Sequence, residues 1–168
     1  MIFFVSGTHE ASFKRAVKAI DELKGKGVIT EDVILQTGYT DDYEPKYCKW
    51  EKFFPYDQTQ ELAKEAHILI THGGPSSFIM GLSNGKVPIV IPRRAEFGEH
   101  VNDHQVKFCH AVAERQGNIL VVDDVNELEN LIKNYDTITA DMAKGMTFNN
   151  QRFCEGIENI ANSLVKEK

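Results

Sequence analysis

Apolar residues in this chain fall into short unbroken runs, separated by stretches in which they recur every three or four positions. Residues 2–6, 33–37, 67–71, 87–91 and 119–122 are such runs and predict buried strands; residues 50–54 predict a further short one. Between them, Phe13, Val17 and Ile20 mark one face of a helix over residues 10–23, with Leu23 extending it, and Gly25 and Gly27 stop it. Further helices are expected over 58–66, where Asp57 is a credible N-cap, and over 76–84, 102–115 and 125–134. Residues 141–165 read as one long helix or a kinked pair, with Phe153, Ile157, Ile160 and Leu164 on its apolar face. That face fits the domain's own core or a partner equally well. Strands that are apolar throughout must be covered on both sides, so the alternation predicts an α/β, Rossmann-like, mostly parallel sheet with helices on both faces. Residues 39–52, rich in Tyr, Asp and Lys, read as a loop or a partner-facing excursion.

Length and charge narrow the class. At 168 residues the chain suits one domain, spanning 1–168, and buries roughly two thirds of its unfolded surface without disulfide or metal. Cys48, Cys109 and Cys154 are far apart and odd in number, which fits a reducing, cytoplasmic setting better than a disulfide framework. A net charge of −6 speaks against a nucleic-acid partner held on a basic face. The apolar start is too short for a signal peptide, and no segment approaches the ~20 apolar residues of a membrane-spanning helix.

In open parallel sheets, ligands sit beyond the carboxyl ends of the strands, which singles out three loops. The first is Thr71-His72-Gly73-Gly74-Pro75-Ser76-Ser77. Two glycines permit a tight turn, proline suits a first helical position, and the following helix directs free amides and its positive end into the loop. Without a lysine this is not a Walker loop; it is either a diphosphate cradle or a plain turn with capping serines. The second, from Ile91 to Gln105, carries Glu96, Glu99, Asp103, His104 and Gln105, groups able to accept from and donate to sugar hydroxyls, or simply to solvate a loop whose Asn102 or Asp103 caps the next helix. His100 and His104 lie four apart, but a cap at 102 or 103 leaves His100 outside the helix, so no metal site is expected. The third is Ser6-Gly7-Thr8-His9, where His9 is either a base or phosphate ligand, or a structural residue. Trp50, Phe53 and Phe54 close an edge of the core or face a partner. His67 and His110 show no evident partner in the sequence.

Taken together, Thr71 to Ser77, Gly85-Lys86-Val87-Pro88-Ile89-Val90-Ile91-Pro92-Arg93 and Glu99-His100-Val101-Asn102-Asp103-His104-Gln105 resemble the C-terminal domain of family 28 glycosyltransferases. The likeness is to stand-alone bacterial subunits of capsular and exopolysaccharide galactosyltransferases, similar to the soluble subunit of the dolichyl-diphosphate N-acetylglucosamine transferase. It implies the C-terminal-type half of a GT-B enzyme, inverting and metal-independent, with no cofactor and a UDP-sugar as donor. On that pattern His72, Gly73, Gly74, Ser76 and Ser77 hold the diphosphate. Glu99, His104 and Gln105 lie near the ribose or the sugar, and Ser6, Gly7 and Thr8 line the cleft. A GT-B enzyme has two such halves, so the resemblance implies a split enzyme. Its membrane-anchored partner subunit would bring a lipid-linked saccharide acceptor, and this chain would be recruited through it to the inner face of the cytoplasmic membrane. Inverting transfer needs a base, for which His9 is the local candidate and the partner the other source. A noncatalytic regulatory or scaffolding subunit keeping the same fold is the alternative. A dehydrogenase is disfavoured, because the first strand leads into Ser6-Gly7-Thr8-His9-Glu10 rather than a GxGxxG turn.

Overall fold

A computed structural model describes residues 1–142 and 150–166. Six strands form one sheet in the order β3-β2-β1-β4-β5-β6: β1 Ile2–Val5, β2 Val33–Gln36, β3 Lys49–Glu51, β4 Ile68–His72, β5 Ile89–Ile91 and β6 Leu120–Val121. All five pairings are parallel, with Ile2 opposite both Val33 and Ile68 in register. The apolar runs are explained by cover on both faces. Ile2, Phe4, Ile68 and Ile70 turn to one core, shared with Phe13, Val17 and Ile20 of the α1 side and Leu128 of the α5 side. Phe3, Val5 and Leu69 turn to the other, against Ala63 and Met80. Phe78, Val90, Cys109 and Ile119 form a third cluster.

The helices are α1 Lys14–Gly25, α2 Tyr56–Glu65, α3 Pro75–Ser83, α4 His104–Gln116, α5 Leu128–Lys133, α6 Tyr135–Thr139 and α7 Asn150–Lys166. Three depart from the sequence expectation for identifiable reasons. α1 starts four residues later than residue 10, because the carbonyls of Ala11 and Ser12 accept from Arg93 and the Phe13 amide donates to Thr40. α2 begins on Pro55 at the N-cap position, which puts Asp57 inside the first turn rather than at the cap; its charge still faces the positive helix end. The carboxyl-terminal region divides into α6 and α7, with residues 143–149 outside the described residues. In α7 every described side chain from 154 to 162 is exposed, Ile157 and Ile160 included, so this stretch of the apolar face does not cover the domain's own core. The side chains of Phe153 and Leu164 lie outside the described set. Among the described residues no helix is long and apolar enough to cross a membrane.

The excursion between β2 and β3 is organised by a single buried carboxylate. Asp21 of α1 accepts from the Tyr43 hydroxyl at 2.9 Å and from the amides of Lys46, Tyr47 and Cys48 at 2.8 to 3.0 Å. Burial alone would raise its pKa, but the donors from Lys46, Tyr47, Tyr43 and Cys48 outweigh burial and hold it below the usual value. A depressed folded-state pKa means stability that is present above the unfolded carboxylate's pKa and lost as pH falls through the folded one. Asp21→Asn is therefore expected to cost about 2 kcal/mol at neutral pH, the worth of charged buried hydrogen bonds. The difference from the parent should shrink below about pH 4, as the parent's own carboxylate protonates. Urea unfolding at pH 7 and pH 3 measures both; a penalty that stays constant across the two would contradict the account.

Candidate functional site

Strand order reverses between β1 and β4, and there the loops after both strands part and open a cleft. Two buried side chains, both contributed after β5, fix the loop ends. The Gln105 amide oxygen accepts from the amides of Gly73 and Arg93, each at 3.1 Å, tying the loop after β4 to that after β5. The Arg93 guanidinium donates to the carbonyls of Ser6 at 3.0 Å, Ala11 at 2.9 Å, Glu99 at 3.2 Å and Ser12 at 3.4 Å, and its carbon lies 4.4 Å from the Phe13 ring centre. Loops after three different strands thus share one pair of polar clamps.

His72 occupies the floor between these loops. Its Nδ1 accepts from the Gly74 amide at 3.0 Å, and its Nε2 lies 2.9 Å from the Ser77 hydroxyl. Burial, and after it the nearby Arg93 cation, pushes the pKa of His72 down to about 4, so the ring is neutral at pH 7. An amide can only donate, which assigns the ring proton to Nε2; Nε2–H then donates to Ser77 Oγ and leaves the Ser77 hydroxyl proton free for another acceptor. The neighbouring glycines serve this ring. A Cβ on Gly74 would stand 2.1 Å from His72 Cε1, and one on Gly7, whose φ is +79°, would stand 2.4 Å from Nε2.

The cleft has a volume of about 550 Å³. Of the residues singled out in the sequence, Gly7, Thr8, His9, His72, Ser76, Ser77 and Gln105 line it. The others are placed differently. Ser6 is wholly buried beneath the floor, offering its carbonyl to Arg93. The amides of Gly73 and Gly74 are engaged by Gln105 and His72. Past Pro75, which has no N–H, the Ser76 amide is the first in α3 without a hydrogen bond among the described residues, since that of Ser77 donates to Gly74. Glu99 turns away from the cleft: it is 2% exposed, and its carboxylate grips Arg15 at 2.9 and 3.0 Å and the Arg94 amide at 3.0 Å. His104 is exposed, with Nδ1 2.6 Å from Asn102 Oδ1.

Across from α3, the wall comes from residues the sequence left unassigned to a site. Phe53, Phe54, Tyr56, Thr59 and Gln60 line it, with Gln36 beyond the end of β2. Phe54 is seated edge-on against Phe3 with ring centres 6.0 Å apart, while Phe53 packs on Tyr39 at 5.3 Å and remains 41% exposed. The only signal for them in the sequence was two aromatics just past a weak edge strand. At the cleft edge His9 accepts from the Ala11 amide through Nδ1, and its ring stacks 4.5 Å from His100, which stands 4.5 Å from His104. Among the described residues no group of three His, Cys, Asp or Glu side chains is placed to hold a metal ion. His67 and His110 do have partners: His67 meets Glu31 and Asp136, and His110 meets Asp123.

The seating of His72 makes two measurable claims. Gly74→Ala should displace the imidazole and destabilise the fold by about 1–3 kcal/mol, the usual range for overpacking; thermal unfolding that matched the parent would reject the close contact. A histidine with a depressed folded pKa loses stability as pH falls, because between roughly pH 6.5 and pH 4 the unfolded chain takes up a proton that the folded ring refuses. His72→Asn should flatten the stability profile across that window, as read by denaturant titration at half-unit pH steps.

Solved structures place this architecture. A glycotransferase of kitacinnamycin superposes with a TM-score of 0.63 at 18% identity, over 86% of this chain and 37% of that one. The glycosyltransferase SnogD from Streptomyces nogalater gives a TM-score of 0.52 at 15% identity, over 86% of this chain and 39% of that one. At these identities the likeness is one of fold, and the chain spans less than two fifths of either protein. No curated protein is significantly similar in sequence. The family profile of the glycosyltransferase family 28 C-terminal domain matches residues 1–164, nearly the whole sequence. This six-stranded parallel sheet, with its cleft at the β1/β4 reversal, therefore belongs to the glycosyltransferase family 28 C-terminal domain family.

Proposed function

We propose that this chain is the donor-binding half of an inverting GT-B glycosyltransferase, that it takes a UDP-sugar, and that it transfers a hexose to a lipid-linked saccharide in exopolysaccharide or capsule synthesis. The second half is supplied by a membrane-attached partner, which recruits this chain to the cytoplasmic face of the membrane. One observation carries the reading: the two ends of the cleft offer complementary chemistry. At the start of α3 the Ser76 amide and the Ser77 hydroxyl proton are both unspent and stand at the positive helix end, which suits a diphosphate. Opposite, the partly exposed Phe53 and half-buried Phe54 offer an apolar face for a planar base, with Gln36, Thr59 and Gln60 beside it as donors and acceptors for its polar edge.

The chemistry follows from the same atoms. As the sugar–phosphate bond breaks, negative charge grows on the leaving diphosphate, and preorganised donors at a helix end lower the cost of that charge. His72 keeps Ser77 aimed without competing for the anion as a cation. His9 exposes its Nε2 side to the cleft, since Nδ1 is taken by the Ala11 amide, and is the base candidate within this chain. The partner is the other source of a base.

Calorimetry with UDP and with uridine tests the division of the cleft. Ser77→Ala should weaken UDP about tenfold while leaving uridine unchanged, because only a hydrogen bond to the anion is lost. Phe54→Ala should weaken both. Parental binding of neither ligand would reject the donor-site reading. Transfer from a labelled UDP-sugar by this chain together with its membrane partner, and by neither alone, tests the split enzyme.

A further inference from the structure

Arg93 never reaches the cleft, yet its charge is poorly compensated. It is 1% exposed, and all four of its acceptors are carbonyl oxygens. The nearest counter-charge, Glu99, spends both carboxylate oxygens on Arg15 and on the Arg94 amide. Two guanidinium groups therefore share one carboxylate, and a unit of positive charge is left over inside the protein. It sits directly under the Ser6 carbonyl, where the loop carrying Gly7, Thr8 and His9 leaves β1 for the cleft wall. Shielding by water is weak at such depth, so the field extends across the loop.

We propose that Arg93 is a positioning residue that biases the cleft toward anionic ligands through its buried charge, without touching the ligand. Its fork holds the β1 loop against the β5 loop, and its charge adds to the α3 helix end in drawing a diphosphate. This rests on the donor-site reading given above. The same charge also helps keep His72 neutral, since Arg93 is the second cause, after burial, of that ring's lowered pKa. A cation in contact with the diphosphate would hold the leaving group in an ion pair; one set back behind a peptide layer attracts it without forming one.

A structural clamp and an electrostatic bias predict different results. In Arg93→Gln the affinity for UDP relative to uridine, both followed by NMR titration, should fall roughly tenfold, the effect of one charge at about 8–10 Å in a partly screened interior. In Arg93→Lys, which keeps the charge and loses the fork, the UDP-to-uridine ratio should stay within about threefold of the parent even where both ligands weaken. Equal losses of UDP and uridine in Arg93→Gln would overturn the inference and leave a clamp alone. Glu99→Gln guards against a variant that fails to fold: removing the counter-charge should raise the UDP-to-uridine ratio, and an unchanged or lower ratio overturns the inference. The His72 titration in the unliganded protein needs no nucleotide. Its pKa should rise when Arg93 becomes Gln, and an unmoved pKa overturns the field at the cleft floor even if the parent binds no UDP. Absence of UDP binding by the parent, by contrast, rejects the donor-site reading.

Discussion

The ends of β1, β4 and β5 run out of sheet partners while still buried, and the carbonyls and amides they leave must find hydrogen bonds away from water. Arg93 and Gln105 meet that demand. One guanidinium serves four carbonyls, three of them from the segment between β1 and α1, and one amide oxygen takes two amides from different loops. Arginine suits the first task because its donors form a rigid planar fork, and a glutamine oxygen suits the second because it has two lone pairs. The cleft wall is consequently held by side chains that lie behind it.

That arrangement changes what the glycines are for. In the sequence, Gly73-Gly74 before a helix resembles a loop whose amides wrap an anion. In the structure those amides are already committed, one to Gln105 and one to His72, and the space a side chain would fill at Gly74 is taken by the imidazole. The glycines make room for a histidine, and the histidine orients a serine. The unspent donors lie one step further along, at Ser76 and Ser77, where the proline at the first helical position removes an amide that would have had no partner.

The sheet was legible in the sequence because its physical cause is local: strands covered on both faces must be apolar throughout, and all the apolar runs became strands. What escaped depends on contacts distant in sequence. The start of α1 shifts because Arg93, 82 residues beyond Ala11, claims its carbonyl. Glu99 sits in a polar loop and looks like a sugar ligand, yet it closes on Arg15, 84 residues earlier. Asp136 reaches His67 across 69 residues. The aromatic wall was missed for another reason. Phe53 and Phe54 follow a three-residue edge strand, and nothing in local pattern separates aromatics that finish a core from aromatics that line a cleft.

The cleft also divides its labour between charge and direction. Charged groups pressed directly against a diphosphate would bind it tightly at every stage, which lowers the energy of the bound ground state as much as that of the departing product. Here the groups at the anion end are neutral: an amide, a hydroxyl and an imidazole that stays uncharged well below pH 7. Their dipoles are fixed before any ligand arrives, so they favour the arrangement of oxygens that they were aimed at and require no reorganisation as charge develops there. The full positive charge lies one layer back, on Arg93, bound to peptide carbonyls rather than to the ligand. A site built in this way can attract an anion through a field while selecting its position through neutral hydrogen bonds, and those two properties can be altered separately.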